Sequence, residues 1–183
     1  MVDYKTFKKE YLTEWVDKSQ AARKAAEELA NKEVSTSLRD KYKFIFDLAG
    51  HAVEFKTENE TNSDGSPYFT GKEATERFKK PDADGWRLPT KEELKDLRCN
   101  FPCTFNKDSG SVIFNGSLIL HAEGFRTDNE ILSVGTYGSY WSSTPAGYGY
   151  TSTLVFDVSG LIDAAISINK IGRSVRLVRD VNN

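Results

Sequence analysis

Cysteine, histidine and methionine are nearly missing from this chain, with two, two and one in 183 residues. Two cysteines cannot build a disulfide scaffold, and so few Cys and His do not make a zinc site. Apolar runs extend only a few residues, so no bilayer-spanning helix and no direct membrane insertion are expected. A basic surplus is also lacking. Lys and Arg number 25 against 27 Asp and Glu, a net charge of −2. That balance argues against a non-specific grip on nucleic acid or anionic lipid. No apolar stretch follows Met1 to Lys5, so no secretory signal is visible. The expectation is a chain that is cytoplasmic as made, with export on a virion left open. Nucleophile elbow, Walker loop, dinucleotide glycine loop and calcium loop are all absent. Catalysis, a cofactor and a metal are therefore not expected.

What is present changes along the chain. Tyr4, Phe7, Tyr11, Trp15, Ala22, Ala25 and Leu29 recur at helical spacing among Lys and Glu. They predict an N-terminal helical segment over residues 1–36. It either packs on its own domain or drives homo-oligomerisation. From residue 43 to 180 the chemistry is that of an α+β domain, mainly antiparallel strands with two short helices. Residues 44–48 and 52–55 read as a hairpin about Ala49-Gly50, and 58–67 as a polar loop. A short helix is predicted over 71–79. Pro89 ends a strand, and Thr90 with Glu93 forms a capping box for a helix burying Leu94 and Leu97. Short strands are expected near 112–114, 118–120, 140–141, 154–156, 164–166 and 175–178. Tyr140 and Trp141 are expected in the core.

Candidate chemical groups are few. His51 follows a hairpin turn, and His121 lies near Glu123 and Arg126. Both read as solvated or structurally bonded imidazoles. Cys99 and Cys103 lack the spacing of a redox pair and read as packed free thiols. Asp82, Asp84, Glu92 and Glu93 belong to exposed turns or a helix's first turn.

Three motifs occur in order: Gly85-Trp86-Arg87-Leu88-Pro89-Thr90 with Glu92, Glu93 and Leu94; residues 138–144, GSYWSST; and residues 172–179, GRSVRLVR. Tyr68-Phe69 and residues 122–126, AEGFR, accompany them. Together they resemble the C-type-lectin-like proteins of bacteria and phages, of the Fibrobacter succinogenes major paralogous domain type. The variable proteins of diversity-generating retroelements share this layout. The resemblance covers roughly residues 44–180 and implies a C-type-lectin-like fold that binds ligands. Arg173 stands where that family usually carries an aromatic. The calcium motifs of sugar-binding lectins are missing, so calcium-mediated binding does not carry over. The related formylglycine-generating enzymes use a C-terminal cysteine pair, which this chain lacks.

Between the last two motifs, residues 145–169 contain no Lys, Glu, Gln, Met or Trp. The other 158 residues contain 35 of these, so about five or six would be expected here. Retroelement diversification, as the resemblance implies it, mutates adenines in codons that cannot then encode those five. Strand-and-turn sequence poor in long charged side chains is the other explanation. Diversified positions must face solvent, because core positions tolerate little change of volume. The expected exposed ligand-binding set is Tyr148, Tyr150, Ser152, Thr153, Val155, Asp157, Ser159, Asp163, Ser167 and Asn169. Tyr148 and Tyr150 are its expected anchors, since tyrosine offers wide amphipathic contact at low entropy cost.

These readings predict a non-catalytic recognition protein whose C-terminal surface binds a protein or glycan ligand. Two alternatives stand beside it. One is an enzyme on a formylglycine-generating-like fold using His121, Glu123 and Arg126. The other is an assembly subunit of a phage or surface appendage.

Overall fold

The computed structural model describes residues 44–128 and 130–181, with backbone alone at 161–164. The helical segment expected over residues 1–36 lies outside the described residues.

The chain opens with a hairpin, β1 (Ile45–Leu48) and β2 (His51–Phe55). Its two-residue turn places Ala49 and Gly50 at φ of 51° and 83°, the backbone twist that matches two right-twisted strands. Two helices follow, α1 (Gly71–Phe78) and α2 (Lys91–Asn100). Each starts on a capping box, Thr70 with Glu73 and Thr90 with Glu93. In both, the threonine hydroxyl accepts the N3 amide while the glutamate accepts the threonine's own N–H. The remaining strands are β3 (Cys103–Asn106), β4 (Ser111–Phe114), β5 (Leu118–His121), β6 (Phe125–Arg126), β7 (Ile131–Leu132), β8 (Tyr137–Pro145), β9 (Tyr150–Asp157), β10 (Gly160–Ile168) and β11 (Val178–Asp180).

These strands form four small sheets, ordered β1-β2-β11, β10-β9-β8, β3-β4-β5 and β6-β7. Every ladder between named strands is antiparallel. The class is α+β, as the order of early helices and late strands predicts. No helix among the described residues is long and apolar enough to cross a membrane.

Two apolar clusters fill the interior. The larger gathers Phe46, Phe55, Leu97, Phe114, Tyr140 and Phe156 with their neighbours. The smaller centres on Trp141 with Phe69, Ala74, Leu88, Val175 and Leu177. Tyr140 and Trp141 are both core, as expected, and each buries its polar atom with a partner. The Tyr140 hydroxyl donates to His121 O at 2.8 Å, and Trp141 Nε1 donates to Phe69 O at 2.7 Å. Burial pushes the Tyr140 phenol up to about 12.

Two expected strands are shorter than the sequence implies; the one ending at Pro89 is a single bridge between Arg87 and Val178, and the other is the stretch near 175–178. Only Val178–Asp180 pairs, against β2. Val175 and Leu177 are buried, but their carbonyls accept from Glu60 N and Lys56 N, so they brace the polar loop instead of extending a ladder. Between them Arg176 is buried and donates to Lys56 O, Thr57 O, Ile119 O and Asn59 Oδ1. It ties three segments together, and its burial lowers its proton affinity from the ordinary value. Strands β3, β6 and β7 were not expected; the last two are only two residues each and carry no alternation to read.

Candidate functional site

The sheet β10-β9-β8 carries the stretch that the sequence singles out. Cross-strand register sorts its side chains onto two faces. Tyr140 and Leu154 share one face, as do Gly138 and Phe156. Trp141, Thr153 and Ala165 share the other, with Ser139 and Val155. Leu94 and Leu97 of α2 join Leu154 and Phe156 in the larger cluster, so a helix covers the first face. Over the second, the Arg173 guanidinium lies beside the Trp141 and Tyr137 rings and donates to Ser167 Oγ at 2.7 Å.

Covering both faces corrects the expected exposed set. Ser152 is buried on the face that α2 covers. Thr153, Val155 and Ser167 are buried on the face that Arg173 and the rings cover. Thr153 satisfies its hydroxyl on Ala165 O at 3.3 Å, as a buried polar group must. The expectation of solvent exposure fails for these four residues. Asp163 lies among the residues described by backbone alone.

The rest of the set divides between the two ends of β9. Tyr148, in the β8–β9 turn, is fully exposed at 103%, and Tyr150 is 42% exposed. Ser159 is exposed in the β9–β10 turn, and its N–H and hydroxyl both bond Asp157 Oδ1, at 2.8 and 2.6 Å. Those bonds hold the Asp157 carboxyl below its ordinary range. Ile166 is 62% exposed and opposes Ser152, on the same face as Tyr150. Ile166 lies in a strand, as expected, but outside both apolar clusters.

A groove of about 490 Å³ opens beside the β8–β9 turn. Gly147, Gly149, Tyr150 and Asn169 line its sheet side, and Lys72, Thr75 and Glu76 of α1 line the other. The approach of α1 is close. A methyl group on Gly71 would lie 2.7 Å from Asn169 Oδ1, and Gly71 N donates to Asn169 O at 2.7 Å. Asn169 Oδ1 is itself buried and has no hydrogen-bond partner among the described residues. Lys72 and Glu76 form an exposed pair at 3.8 Å, weak enough to re-pair with a ligand. The contribution of α1 was missed, although the Thr70–Glu73 capping box fixes where that helix begins.

The residues considered for catalysis do not converge. His121 is exposed and offers its carbonyl to Tyr140, while Glu123 offers its own to the Tyr68 hydroxyl at 2.6 Å. Arg126 is taken by Asp64 at 2.7 Å and lies over the Tyr68 ring. Two bonds from Ser66, and after them the Arg126 cation, hold the Asp64 carboxyl well below the carboxylate range. Among the described residues no hydrogen bond or ion pair joins His121, Glu123 and Arg126. Cys99 and Cys103 are both free, but Cys99 is exposed instead of packed, because it falls on the outer face of the last turn of α2.

One cluster has the donor set for a cation. His51, Glu93 and Asp180 bring ligand atoms within 4.8 Å of one another. The place is already filled by a protein cation, since Arg87 Nη2 lies 2.7 Å from Glu93 Oε1 and 2.5 Å from Asp180 Oδ1. Glu93 is a first-turn acid of α2, as expected, and is buried. The cluster ties β2, α2 and β11 and belongs to the frame.

No family model, no curated protein and no solved structure matches this chain.

Proposed function

We propose that this chain is a non-catalytic recognition protein. It takes a protein or glycan ligand on the surface formed by the β8–β9 turn, the end of β10 and the outer side of α1. The observation that carries the reading is the exposure of Tyr148 and Tyr150 at a groove whose Asn169 Oδ1 has no partner among the described residues. Exposed aromatics flanked by small residues are the usual vocabulary of adaptable binding surfaces, and aromatics carry much of the energy at interfaces. In this reading the domain is C-type-lectin-like and similar to retroelement variable proteins. The interchangeable positions are then the exposed ones alone, and the buried Ser152, Thr153, Val155 and Ser167 belong to the scaffold.

The test is a binding screen against arrayed glycans and cell-surface proteins, followed by the double variant Tyr148→Ala/Tyr150→Ala. We expect affinity for any selected ligand to fall at least about a hundredfold, a few kcal/mol. The thermal midpoint should stay within about 2 °C, because neither ring is in the core. Undiminished binding, or a large drop in the midpoint, overturns the assignment of these residues.

A further inference from the structure

The arginines of this domain are mostly spoken for. Arg87, Arg126 and Arg179 each have a carboxylate oxygen within 2.7 Å. Arg173 has none among the described residues. Its guanidinium carbon lies 5.7 Å from the centre of the Phe125 ring and 5.9 Å from those of Tyr137 and Trp141. Nε donates to Ser167 Oγ at 2.7 Å, and Nη1 reaches the Tyr137 hydroxyl only at 3.5 Å. Acids on neighbouring elements are engaged elsewhere. Asp157, opposite Tyr137, is held by Ser159, and Asp64 is held by Arg126.

Rings meet the π-face of a cation but leave its N–H edge unsatisfied. A guanidinium has five N–H donors. Here the Ser167 bond uses one and the long Tyr137 contact a second, so both N–H groups of Nη2 and one of Nη1 are without an acceptor among the described residues. The free edge is the planar fork that accepts a carboxylate through two parallel bonds. Rings and serine fix that fork in advance, which lowers the ordering cost of binding.

We propose that Arg173, with Phe125, Tyr137, Trp141 and Ser167, is a subsite for a carboxylate on the ligand. The proposal rests on reading this surface as the recognition surface and adds that its ligand is acidic. Register connects the two places. Ser167, which Arg173 holds, is the cross-strand partner of Thr151, and Thr151 and Asn169 both line the groove. A ligand seated in the groove therefore has a fixed, unpaired cation one strand pair away.

The experiment follows the Arg173 Nε–H resonance of the full, isotope-labelled chain by NMR, identified by its loss in Arg173→Lys. The probes are glucuronic acid and the α-amide of N-acetylglutamic acid, each beside its uncharged methyl ester, at constant ionic strength. We expect a saturable shift with at least one acid, at least about tenfold tighter than with its ester. The tighter acid identifies a sugar acid or an acidic side chain as the source of the carboxylate. No saturation by either acid below about 100 mM, or equal response to acid and ester, overturns the proposal. Repeating the titration on Tyr148→Ala/Tyr150→Ala separates the two readings. Carboxylate binding retained there, with ligand binding from the screen also retained, removes the tyrosine surface and leaves the Arg173 subsite standing.

Discussion

A carboxylate sealed from water stays ionised only when its charge is met inside the protein. Glu93 meets that condition with four bonds. Oε1 accepts from Arg87 Nη2 at 2.7 Å and lies 3.0 Å from His51 Nε2; Oε2 accepts from Arg87 Nη1 at 3.0 Å and Thr90 N at 2.6 Å. Burial on its own would raise the Glu93 pKa, but the Arg87 and Thr90 bonds outweigh it and bring the value below the ordinary 4.5. A carboxyl whose pKa is lower folded than unfolded contributes stability above its unfolded pKa. That contribution is lost as pH falls through the lower folded value. Glu93→Gln should therefore cost on the order of 3 kcal/mol at pH 7, the usual scale for breaking a buried pair. The gap between wild type and variant should close as pH falls below about 4. Urea unfolding of both proteins between pH 3 and 7 checks this; a gap that persists unchanged into acid contradicts it.

At the scale of elements, β8 and β9 show where sequence reading succeeds and where it stops. The Thr90–Glu93 capping box and the β1–β2 hairpin were legible because each is set by neighbours within a few residues, and the burial of Tyr140 and Trp141 because a small domain needs aromatic bulk inside. The expected exposed set draws on both faces of 150–157, Tyr150 and Ser152 on one, Thr153, Val155 and Asp157 on the other. In the structure both faces are covered, by α2 on one side and by Arg173 with its rings on the other. Cover of that kind comes from segments 50 residues and more before β9 and from beyond β10, and period-two patterning has no access to it. Much of the exposed set failed for that reason, while Tyr148 and Tyr150, at the tip of a turn, stayed exposed. Tight packing in the sheet gives its own test. A methyl group on Gly138 would lie 2.1 Å from Phe156 Cζ, inside the larger cluster. Gly138→Ala should destabilise the domain by about 2–3 kcal/mol, the usual cost of overpacking, measured by denaturant unfolding. A loss below about 0.5 kcal/mol would mean that the Phe156 ring swings away freely and that the sheet is not a rigid support.

For the domain as a whole, the last ten described residues act as a tie. Gly172 pairs with Arg126, Arg173 with Phe69, Ser174 with Tyr140 and Val178 with Arg87 as single bridges, and β11 pairs with β2. Arg176 fastens the same segment to the polar loop and β5 through buried bonds. Contacts of such long sequence separation are why GRSVRLVR reads as a strand locally and serves as a strap in space. They also set the β8–β9 turn on a support that both ends of the domain help to hold.

The central claim is that this frame tolerates change at its exposed rim and not beneath it. Two libraries measure that directly, one randomising Tyr148, Tyr150, Ser159 and Ile166, the other Ser152, Thr153, Val155 and Ser167. Protease resistance of displayed protein reads the folded fraction in each. Surface changes usually cost within about 0.5 kcal/mol and buried ones about 1–3, so most of the first library should fold and at least about tenfold fewer of the second. Equal folded fractions in the two libraries would contradict the account.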